Sequence, residues 1–287
     1  MSQNLVELAK LIRYNILIST TAAGTGHPTS SLSATDLMTS LFFNAYFKTN
    51  LDNPKNPEND RLIFSKGHAS PLLYAMYSVA GKISQAELLT LRKFNSRLEG
   101  HPTMDFEYTE AATGSLGQGL GVGVGLALNS KMEAKKGKRE YNTFVLLGDS
   151  EVAEGSVWES MQLASYYKLN NLVAIIDVNR LGQRGQTMEG WDTNNYKLKC
   201  EAFGCETWVV DGQNLTEINS VFDQIMASTS DKPKAIVAKT KKGAGISFLE
   251  DVDGWHGKTL DKEQLELALK ELGTVDTALV GRVAEIK

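Results

Sequence analysis

The segment from 143 to 183 constrains the fold of this chain more than any other part of the sequence. It contains two short apolar runs, 143–147 and 172–178, which are typical of buried strands, and between them 155–168 carries apolar residues at helical spacing. A strand–helix–strand unit of this length closes right-handed, so both strands end at the same edge of a parallel sheet. The sequence therefore predicts an α/β fold.

Two polar side chains follow these strands. Asp149 comes just after the first run and Asn179 just after the second. Ligands of open α/β sheets bind outside the carboxyl ends of the strands, and Mg²⁺ prefers a few oxygen ligands beside a phosphate. Taken alone, Asp149 is more simply a helix cap and Asn179 a turn residue. Together they favour a magnesium site at this edge.

Further segments predict a mainly parallel sheet covered by helices on both faces. The predicted strands are 61–64, 143–147, 172–178, 207–210 and 235–239. The predicted helices are an amphipathic helix from Leu5 to Ile16, then 33–47, 72–80, 85–94, a glycine-rich helix from 117, 155–168, 215–227, and a tail of one or two helices over 261–287 with a break at Gly273. The segments 20–28 and 48–60 are predicted loops. We expect a single domain over 1–287.

Composition excludes several classes of protein. With 287 residues, 42% hydrophobic and 22% charged, the chain is long enough to bury a large core. A formal net charge of −4 and a pI near 5.7 argue against a nucleic-acid surface. No apolar run is long enough to span a membrane. Two cysteines, Cys200 and Cys205, favour reduced thiols in a cytoplasmic protein.

Several motifs in a fixed order resemble the transketolase family. The sequence GDSEVAEGS followed by DVNRLGQ is similar to that family's thiamine diphosphate motif, and the match extends through GHPTS, SKGHAS, GHP, GSLGQG, KKGAG and WHG. One position departs from the pattern, because Ser150 stands where the family usually has glycine. Serine keeps the backbone N–H that the family uses to bind the diphosphate.

The resemblance implies thiamine diphosphate and Mg²⁺ as cofactors, with Ca²⁺ or Mn²⁺ as substitutes for the metal. The implied metal ligands are Asp149, Asn179 and the backbone carbonyl of Leu181. Glycine at 114 permits close backbone approach to the cofactor. The implied cofactor contacts are Ser30, His68, Gly114, Leu116, Asp149, Ser150, Glu154, Asn179, Lys242 and His256.

All four histidines of the chain lie in these motifs. A lone histidine such as His27 is more often structural, but histidine also suits proton transfer near neutral pH. By resemblance the substrate-binding and catalytic residues are His27, His101 and His256, and Glu154 joins them as a catalytic residue. Glu154 alone would be an acid that favours a helix N-terminus. The family instead has it at a subunit interface, against the glutamate that activates the cofactor.

The implied reaction transfers a two-carbon ketol unit from a ketose phosphate to an aldose phosphate. That activating glutamate and the pyrimidine-binding domain that carries it are absent from this sequence. We therefore expect a split transketolase, in which a separate C-terminal subunit completes an α₂β₂ assembly. Three alternatives stay open: a piece of a longer transketolase, the diphosphate-binding subunit of another thiamine enzyme such as a 2-oxoacid dehydrogenase, and a non-catalytic cofactor-binding protein.

Overall fold

A parallel sheet lies at the centre of the computed structural model, which describes residues 4–286. Its strands are β1 (Arg61–Phe64), β2 (Thr143–Gly148), β3 (Leu172–Val178), β4 (Glu206–Asp211) and β5 (Lys234–Lys239). They are ordered β1-β2-β3-β5-β4, and every neighbouring pair runs parallel. The predicted α/β fold is confirmed, and each predicted strand is present with its bounds within one residue.

Ten α-helices are found along residues 4–286. They are α1 (Leu5–Ala23), α2 (Pro28–Ser33), α3 (Thr35–Phe43), α4 (Ser70–Val79), α5 (Gln85–Leu88), α6 (Gln118–Ala134), α7 (Gly155–Tyr166), α8 (Thr193–Ala202), α9 (Leu215–Ala227) and α10 (Lys262–Leu272). Two 3₁₀ turns, Gly67–Ala69 and Glu151–Ala153, follow β1 and β2. No helix within residues 4–286 is both long and apolar enough to cross a bilayer.

The helices cover both faces of the sheet because the side chains of the strands alternate. Phe144 and Leu146 of β2 pack into one core cluster with α1, α3, α4 and α9. Val145 and Leu147 of the same strand pack into a second cluster with α6, α7 and α8. Each fully buried side chain of this size contributes about 2 kcal/mol. A strand that is buried on both faces reads as a continuous apolar run, which is why the sequence revealed it.

Two helix predictions and one loop prediction were wrong. The predicted helix 33–47 is shorter than expected. Ser33 is the last residue of α2, Ala34, with φ −95° and ψ 5°, separates α2 from α3, and α3 ends before Ala45 because that residue has φ 64°. The predicted loop 20–28 is helical as far as Ala23, where Gly24 with φ 64° ends α1. The predicted helix 85–94 stops at Leu88.

The C-terminal tail and one further helix also differ from expectation. A capping box of Asp261 and Gln264 starts α10, and Gly273, with φ 71°, follows its last residue. Beyond Gly273 the described chain forms no helix, and Ala284 instead pairs with Lys48 in a short β-bridge. Helix α8 was missed, because its sequence TNNYKLKCEA is mostly polar and buries only Tyr196 and Cys200.

The topology brings four loops to one edge of the sheet. The chain segments that follow β1, β2, β3 and β5 all leave at the carboxyl edge, because these strands are parallel and adjacent. The start of α2 reaches the same edge, since Lys66 Nζ, just after β1, donates to the carbonyl of Ser30 at 2.9 Å. This edge is therefore where separate motifs of the sequence meet.

Candidate active site at the carboxyl edge of the sheet

A cavity of about 540 Å³ opens at this edge. Its walls come from loops that are far apart in sequence. Every site residue predicted from the sequence lines it, except Glu154. The lining residues are His27, Ser30, Lys66, His68, His101, Gly114, Leu116, Gly148, Asp149, Ser150, Glu151, Asn179, Leu181, Gly182, Gln183, Lys242 and His256.

The four histidines lie together in this cavity. The ring centroid of His27 is 5.1 Å from that of His68, 6.5 Å from that of His101 and 5.0 Å from that of His256. The rings of His68 and His256 are 5.3 Å apart. His27 Nδ1 is buried and makes no hydrogen bond. The cavity therefore presents imidazole nitrogens to whatever it binds.

These imidazoles are neutral at physiological pH. Burial, followed by nearby positive charge, lowers the pKa of His27 to about 4 and that of His256 to about 3. The pKa of His68 is also well below its ordinary value, chiefly through burial and then through Lys66. Burial and the charge of Arg92 lower the pKa of His101. Neutral imidazole can accept a proton from a hydroxyl group, which imidazolium cannot do.

Asp149 is a buried carboxyl group with an unused oxygen. It is 5% exposed, its Oδ1 accepts the Ser150 N–H at 2.8 Å, and its Oδ2 makes no hydrogen bond. Burial and then the charge of Asp177 raise its pKa to about 6. A buried carboxylate oxygen without a partner costs free energy unless a cation or donor meets it. Asp149 is thus suited to hold a bound cation.

The remaining two predicted metal ligands are close to other polar groups. Asn179 Oδ1 accepts the N–H of Leu181 at 3.2 Å, and the Leu181 carbonyl accepts Lys242 Nζ at 2.8 Å. Lys242 Nζ also contacts the Gly182 carbonyl at 3.2 Å and His256 Nδ1 at 3.0 Å. Burial, followed by the charge of Lys66, lowers the pKa of Lys242 to about 8. A positive charge already lies against these oxygens, which fits a cation-binding position.

This donor set matches magnesium better than a transition metal. Asp149, Asn179 and the Leu181 carbonyl offer only oxygen atoms, and phosphate oxygens would complete the coordination. Among residues 4–286 there is no group of three or more His, Cys, Asp or Glu side chains that could hold a metal by itself. The residues present therefore fit a magnesium ion that binds together with a phosphate-bearing ligand.

A buried ion pair beneath the cavity was not predicted. Lys66, 2% exposed, pairs with Asp177, which is fully buried at the end of β3. Asp177 also accepts Ser33 Oγ at 2.5 Å, Asn179 Nδ2 at 3.3 Å and the hydroxyl of Thr240. This network joins the loops after β1, β3 and β5 to α2. The charged Asp177 inside the otherwise apolar run 172–178 was the signal in the sequence.

Glu151 was also missed, and it holds a second pair of loops together. Its carboxylate accepts the N–H of Gly117 at 2.9 Å, the N–H of Gly148 at 3.0 Å and the hydroxyl of Ser65. Burial raises its pKa. It thereby fixes the segment that carries Gly114 and Leu116 against the end of β2. Gly114 has φ 156°, and a Cβ there would lie 3.5 Å from the ring of His101.

Glu154 lies outside the cavity. It is exposed, immediately before the first residue of α7, and its side chain approaches Gly117, where a Cβ would be 3.0 Å from that of Glu154. Within the described chain this carboxylate has no ion-pair partner closer than 4.0 Å. Its position does not require a role in this cavity.

A parallel sheet with an oxygen donor set and a polar cavity at its carboxyl edge defines an α/β domain that binds a phosphate-bearing cofactor. Residues 5–280 match a protein family described as "Transketolase, thiamine diphosphate binding domain". The chain therefore belongs to this family, and the resemblance read from its motifs is confirmed.

Known relatives fall into two groups by length. Transketolase of Mus musculus is 47% identical over 270 residues, which are 94% of this chain and 42% of that protein. One subunit of apulose-4-phosphate transketolase from Phocaeicola vulgatus is 38% identical over 250 residues, which are 87% of each chain. A crystal structure of transketolase from Campylobacter jejuni superposes with a TM-score of 0.87 at 31% identity, over 99% of this chain and 45% of that one. This chain thus spans less than half of the longer relatives.

Proposed function

We propose that this chain is the diphosphate-binding subunit of a transketolase and works with a separate subunit that carries the pyrimidine-binding domain. One observation carries the proposal: four neutral histidines and an unpaired buried carboxylate oxygen share a single cavity at the carboxyl edge of the sheet. The expectation of a second chain is supported by the Phocaeicola vulgatus relative, which is itself named as a transketolase subunit and is matched over 87% of both lengths.

In this proposal Asp149, Asn179 and the Leu181 carbonyl hold Mg²⁺ on the diphosphate of the cofactor, and Ca²⁺ or Mn²⁺ can replace it. Lys242 Nζ, which now donates to the Leu181 carbonyl, would instead hold a diphosphate oxygen. The Ser150 N–H now donates to Asp149 and would share that donation with the cofactor. The other proposed cofactor contacts are Ser30, His68, Gly114, Leu116 and His256, which all line the cavity.

When bound, thiamine diphosphate supplies a nucleophilic carbon that attacks the ketose carbonyl. His27, His101 and His256 line the space where that carbonyl would lie, and all three are neutral near pH 7. Each can therefore accept a hydroxyl proton as the sugar is cleaved and return it to the aldose that receives the two-carbon unit.

Glu154 is proposed to act at the subunit interface, where it contacts the activating glutamate of the partner. Its exposure and its lack of an ion pair within the described chain support that role. We further propose an α₂β₂ assembly, a single cofactor-binding domain in this chain, and a cytoplasmic location. The buried free thiols of Cys200 and Cys205 support the location.

The experiment is to purify the chain at native abundance from its source and to measure the mass of any co-purifying polypeptide by mass spectrometry. We expect about one equivalent of a second chain, with about 150 residues per domain. Ketol transfer should need both chains, thiamine diphosphate and Mg²⁺. The assay should offer several ketose phosphates as donors. Apulose 4-phosphate is one of them, because the Phocaeicola vulgatus relative is named for it.

Each chain assayed alone is the control. The proposal is wrong if the chain purifies without a partner, if its native polypeptide is longer than 287 residues, or if the purified pair transfers no ketol unit from any ketose phosphate.

A further inference from the structure

An arginine with an uncommon backbone conformation separates two of the proposed metal ligands. Arg180 lies between Asn179 and Leu181 and is left-handed, with φ 62°. A residue other than glycine keeps such a conformation only where surrounding contacts stabilise it. The Arg180 carbonyl accepts the Thr187 N–H at 2.8 Å, which is one such contact. The turn at Arg180 therefore decides where Asn179 and Leu181 place their oxygen atoms.

The side chain of Arg180 is held on its edge and on its face. Its Nε donates to Asp251 Oδ1 at 2.8 Å and its Nη2 donates to Oδ2 at 2.7 Å, so the ion pair is bidentate. The guanidinium carbon lies 4.7 Å from the centre of the Trp191 ring. Trp191 is itself anchored, because its Nε1 donates to the Thr240 carbonyl at 2.9 Å. A planar guanidinium can make these contacts together, which an ammonium group cannot.

Asp251 connects this ion pair to a second loop of the cavity. It is also left-handed, with φ 60°, and its N–H donates to the Lys242 carbonyl at 2.8 Å. Lys242 Nζ in turn donates to the Leu181 carbonyl. The loops that follow β3 and β5 are thus joined twice, once through the ion pair and once through Lys242.

The ion pair combines two rare features. Among residues 4–286, six residues other than glycine have a positive φ, and two of these six form this pair. The side chains of Arg180 and Asp251 are 26% and 24% exposed, so solvent screens their charges only partly. Neither side chain lines the cavity. The pair can therefore act on a bound metal only through the residues that it positions.

We propose that the ion pair of Arg180 and Asp251 fixes the oxygen atoms of Asn179 and Leu181 in the geometry that Mg²⁺ requires. This rests on the proposed cofactor site. Mg²⁺ demands nearly ideal octahedral coordination, whereas Ca²⁺ accepts a variable number of oxygen ligands at longer distances. A turn that is held on both sides suits the stricter ion. Arg180 and Asp251 are positioning residues, and their loss should impair Mg²⁺ binding more than Ca²⁺ binding.

The charges of the two side chains separate this role from simple electrostatics. Loss of a positive charge near a bound cation should by itself strengthen metal binding, and loss of a negative charge should weaken it. A positioning role predicts instead that Arg180→Gln and Asp251→Asn weaken Mg²⁺ binding alike, because each variant breaks the same ion pair. The double variant should then bind Mg²⁺ no more weakly than either single variant.

The first test uses the protein as it purifies from its source, with its partner, at a fixed concentration of thiamine diphosphate. Mg²⁺ or Ca²⁺ is titrated, and bound cofactor is measured by equilibrium dialysis. In Arg180→Gln and Asp251→Asn the Mg²⁺ concentration at half-saturation should rise about tenfold or more, the usual loss when a group that orients metal ligands is removed. The value for Ca²⁺ should rise less than about threefold, because its coordination is flexible.

Two further variants control this test. Arg180→Lys should recover only part of the Mg²⁺ affinity, because lysine keeps the charge without the bidentate geometry. Lys241 pairs with Glu250 in the same loop as Asp251, but these side chains are 49% and 31% exposed. Lys241→Gln removes one positive charge close to Lys242 and should change half-saturation by less than about twofold for either ion. Retained Ca²⁺ binding also shows that a variant is folded.

Opposite effects of Arg180→Gln and Asp251→Asn on Mg²⁺ binding would overturn the proposal, as would equal losses for Mg²⁺ and Ca²⁺ or no loss for either ion. A protein that binds no thiamine diphosphate at any metal concentration would instead count against the proposed function. The role of the ion pair is then decided by a second measurement that needs no cofactor.

That measurement dialyses the same proteins against Mg²⁺ or Ca²⁺ with inorganic diphosphate and determines the metal retained by the protein. We expect the wild type to retain Mg²⁺ and both single variants to need about tenfold more Mg²⁺ for the same occupancy. A wild type that retains no Mg²⁺, or an equal Mg²⁺ affinity in all variants, would contradict the assignment.

Discussion

Two buried aspartates at opposite edges of the sheet differ in the number of hydrogen bonds that their carboxylates accept. Asp60 precedes β1 at the amino edge and Asp149 follows β2 at the carboxyl edge; they are 1% and 5% exposed. Asp60 accepts three hydrogen bonds, from Arg139 Nη2 at 2.8 Å, Asn142 N–H at 2.9 Å and Lys48 N–H at 2.9 Å. Asp149 accepts one and keeps an oxygen free.

The difference separates a carboxylate that serves the fold from one that serves a ligand. Burial raises the pKa of both groups, but the charge of Arg139 opposes that rise at Asp60. Removing one partner of a paired buried charge is strongly destabilising, whereas an unpaired buried charge itself costs stability until something binds it. The four predictions that follow test this division, in order of decreasing effect.

The largest effect is expected for the ion pair beneath the cavity, in which both side chains are buried. Lys66→Met leaves Asp177 without its cation, so the free energy of unfolding in urea should fall by about 3–5 kcal/mol. The exposed pair of Lys82 and Asp52 provides the control. Lys82→Met should cost less than about 1 kcal/mol.

The double variant Lys66→Met/Asp177→Leu should recover much of the loss, because it removes both charges. If Lys66→Met lowers the free energy of unfolding no more than Lys82→Met does, the pair of Lys66 and Asp177 does not stabilise the carboxyl edge.

The two aspartates should respond differently to the same substitution. Asp60→Asn replaces an acceptor that faces three donors, and it should lower the free energy of unfolding by about 3 kcal/mol. Asp149→Asn removes an incompletely paired buried charge and should change stability by less than about 1 kcal/mol. Both are read from urea unfolding of the cofactor-free chain at pH 7. Equal losses would erase the distinction between the two edges.

Acid should destabilise the carboxyl edge through His27. Its pKa is about 4 in the folded chain against an ordinary value of 6.5, so the unfolded chain binds the proton first as the pH falls. The stability that His27 contributes is complete above pH 6.5 and is lost as the pH falls from about 6.5 to about 4.

After allowance for partial solvent screening, this loss amounts to about 2 kcal/mol. The measurement is the difference in unfolding free energy between wild type and His27→Asn at several pH values, which isolates His27 from the carboxyl groups. A difference that stays constant between pH 4 and pH 7 would show that folding does not lower the pKa of His27.

Two glycines of α6 differ in the space that surrounds them. A Cβ on Gly119 would lie 2.4 Å from Ser65 Cβ and 2.7 Å from its Cα, so Gly119→Ala should cost about 2 kcal/mol. Gly125 is exposed, and a Cβ there would meet nothing within 4 Å. Gly125→Ala should therefore raise the melting temperature, with a gain of about 0.5–1 kcal/mol. The same sign for both variants would contradict this packing.

Sequence patterns predicted the parts of this molecule that depend on local chemistry. Strands buried on both faces appear as apolar runs, and Asp149 and Asn179 could be assigned to one edge because adjacent parallel strands end together. Helix α8 was missed because a polar surface helix has a weak apolar pattern. The break at Ala34 was missed because neither proline nor glycine marks it.

The residues that support the site were harder to find than those that line it. Asp177 lies inside an apolar run, and its partner Lys66 comes from a strand end more than a hundred positions away. Their pairing depends on the order of the strands, which local patterns do not contain. The position of Arg180 depends on a left-handed backbone and on the carboxylate of Asp251 from another loop. Such tertiary relations are visible only in the folded chain.

The most direct test of the central claim is a calorimetric titration of thiamine diphosphate into the chain, with and without Mg²⁺, for wild type, Asp149→Asn and Asp60→Asn. Binding to the wild type should require Mg²⁺. Asp149→Asn should weaken it by about a hundredfold, as expected when a metal ligand is lost, while Asp60→Asn should leave it unchanged. Magnesium-independent binding, or an equal loss in both variants, would contradict the assignment of the carboxyl edge as the cofactor site.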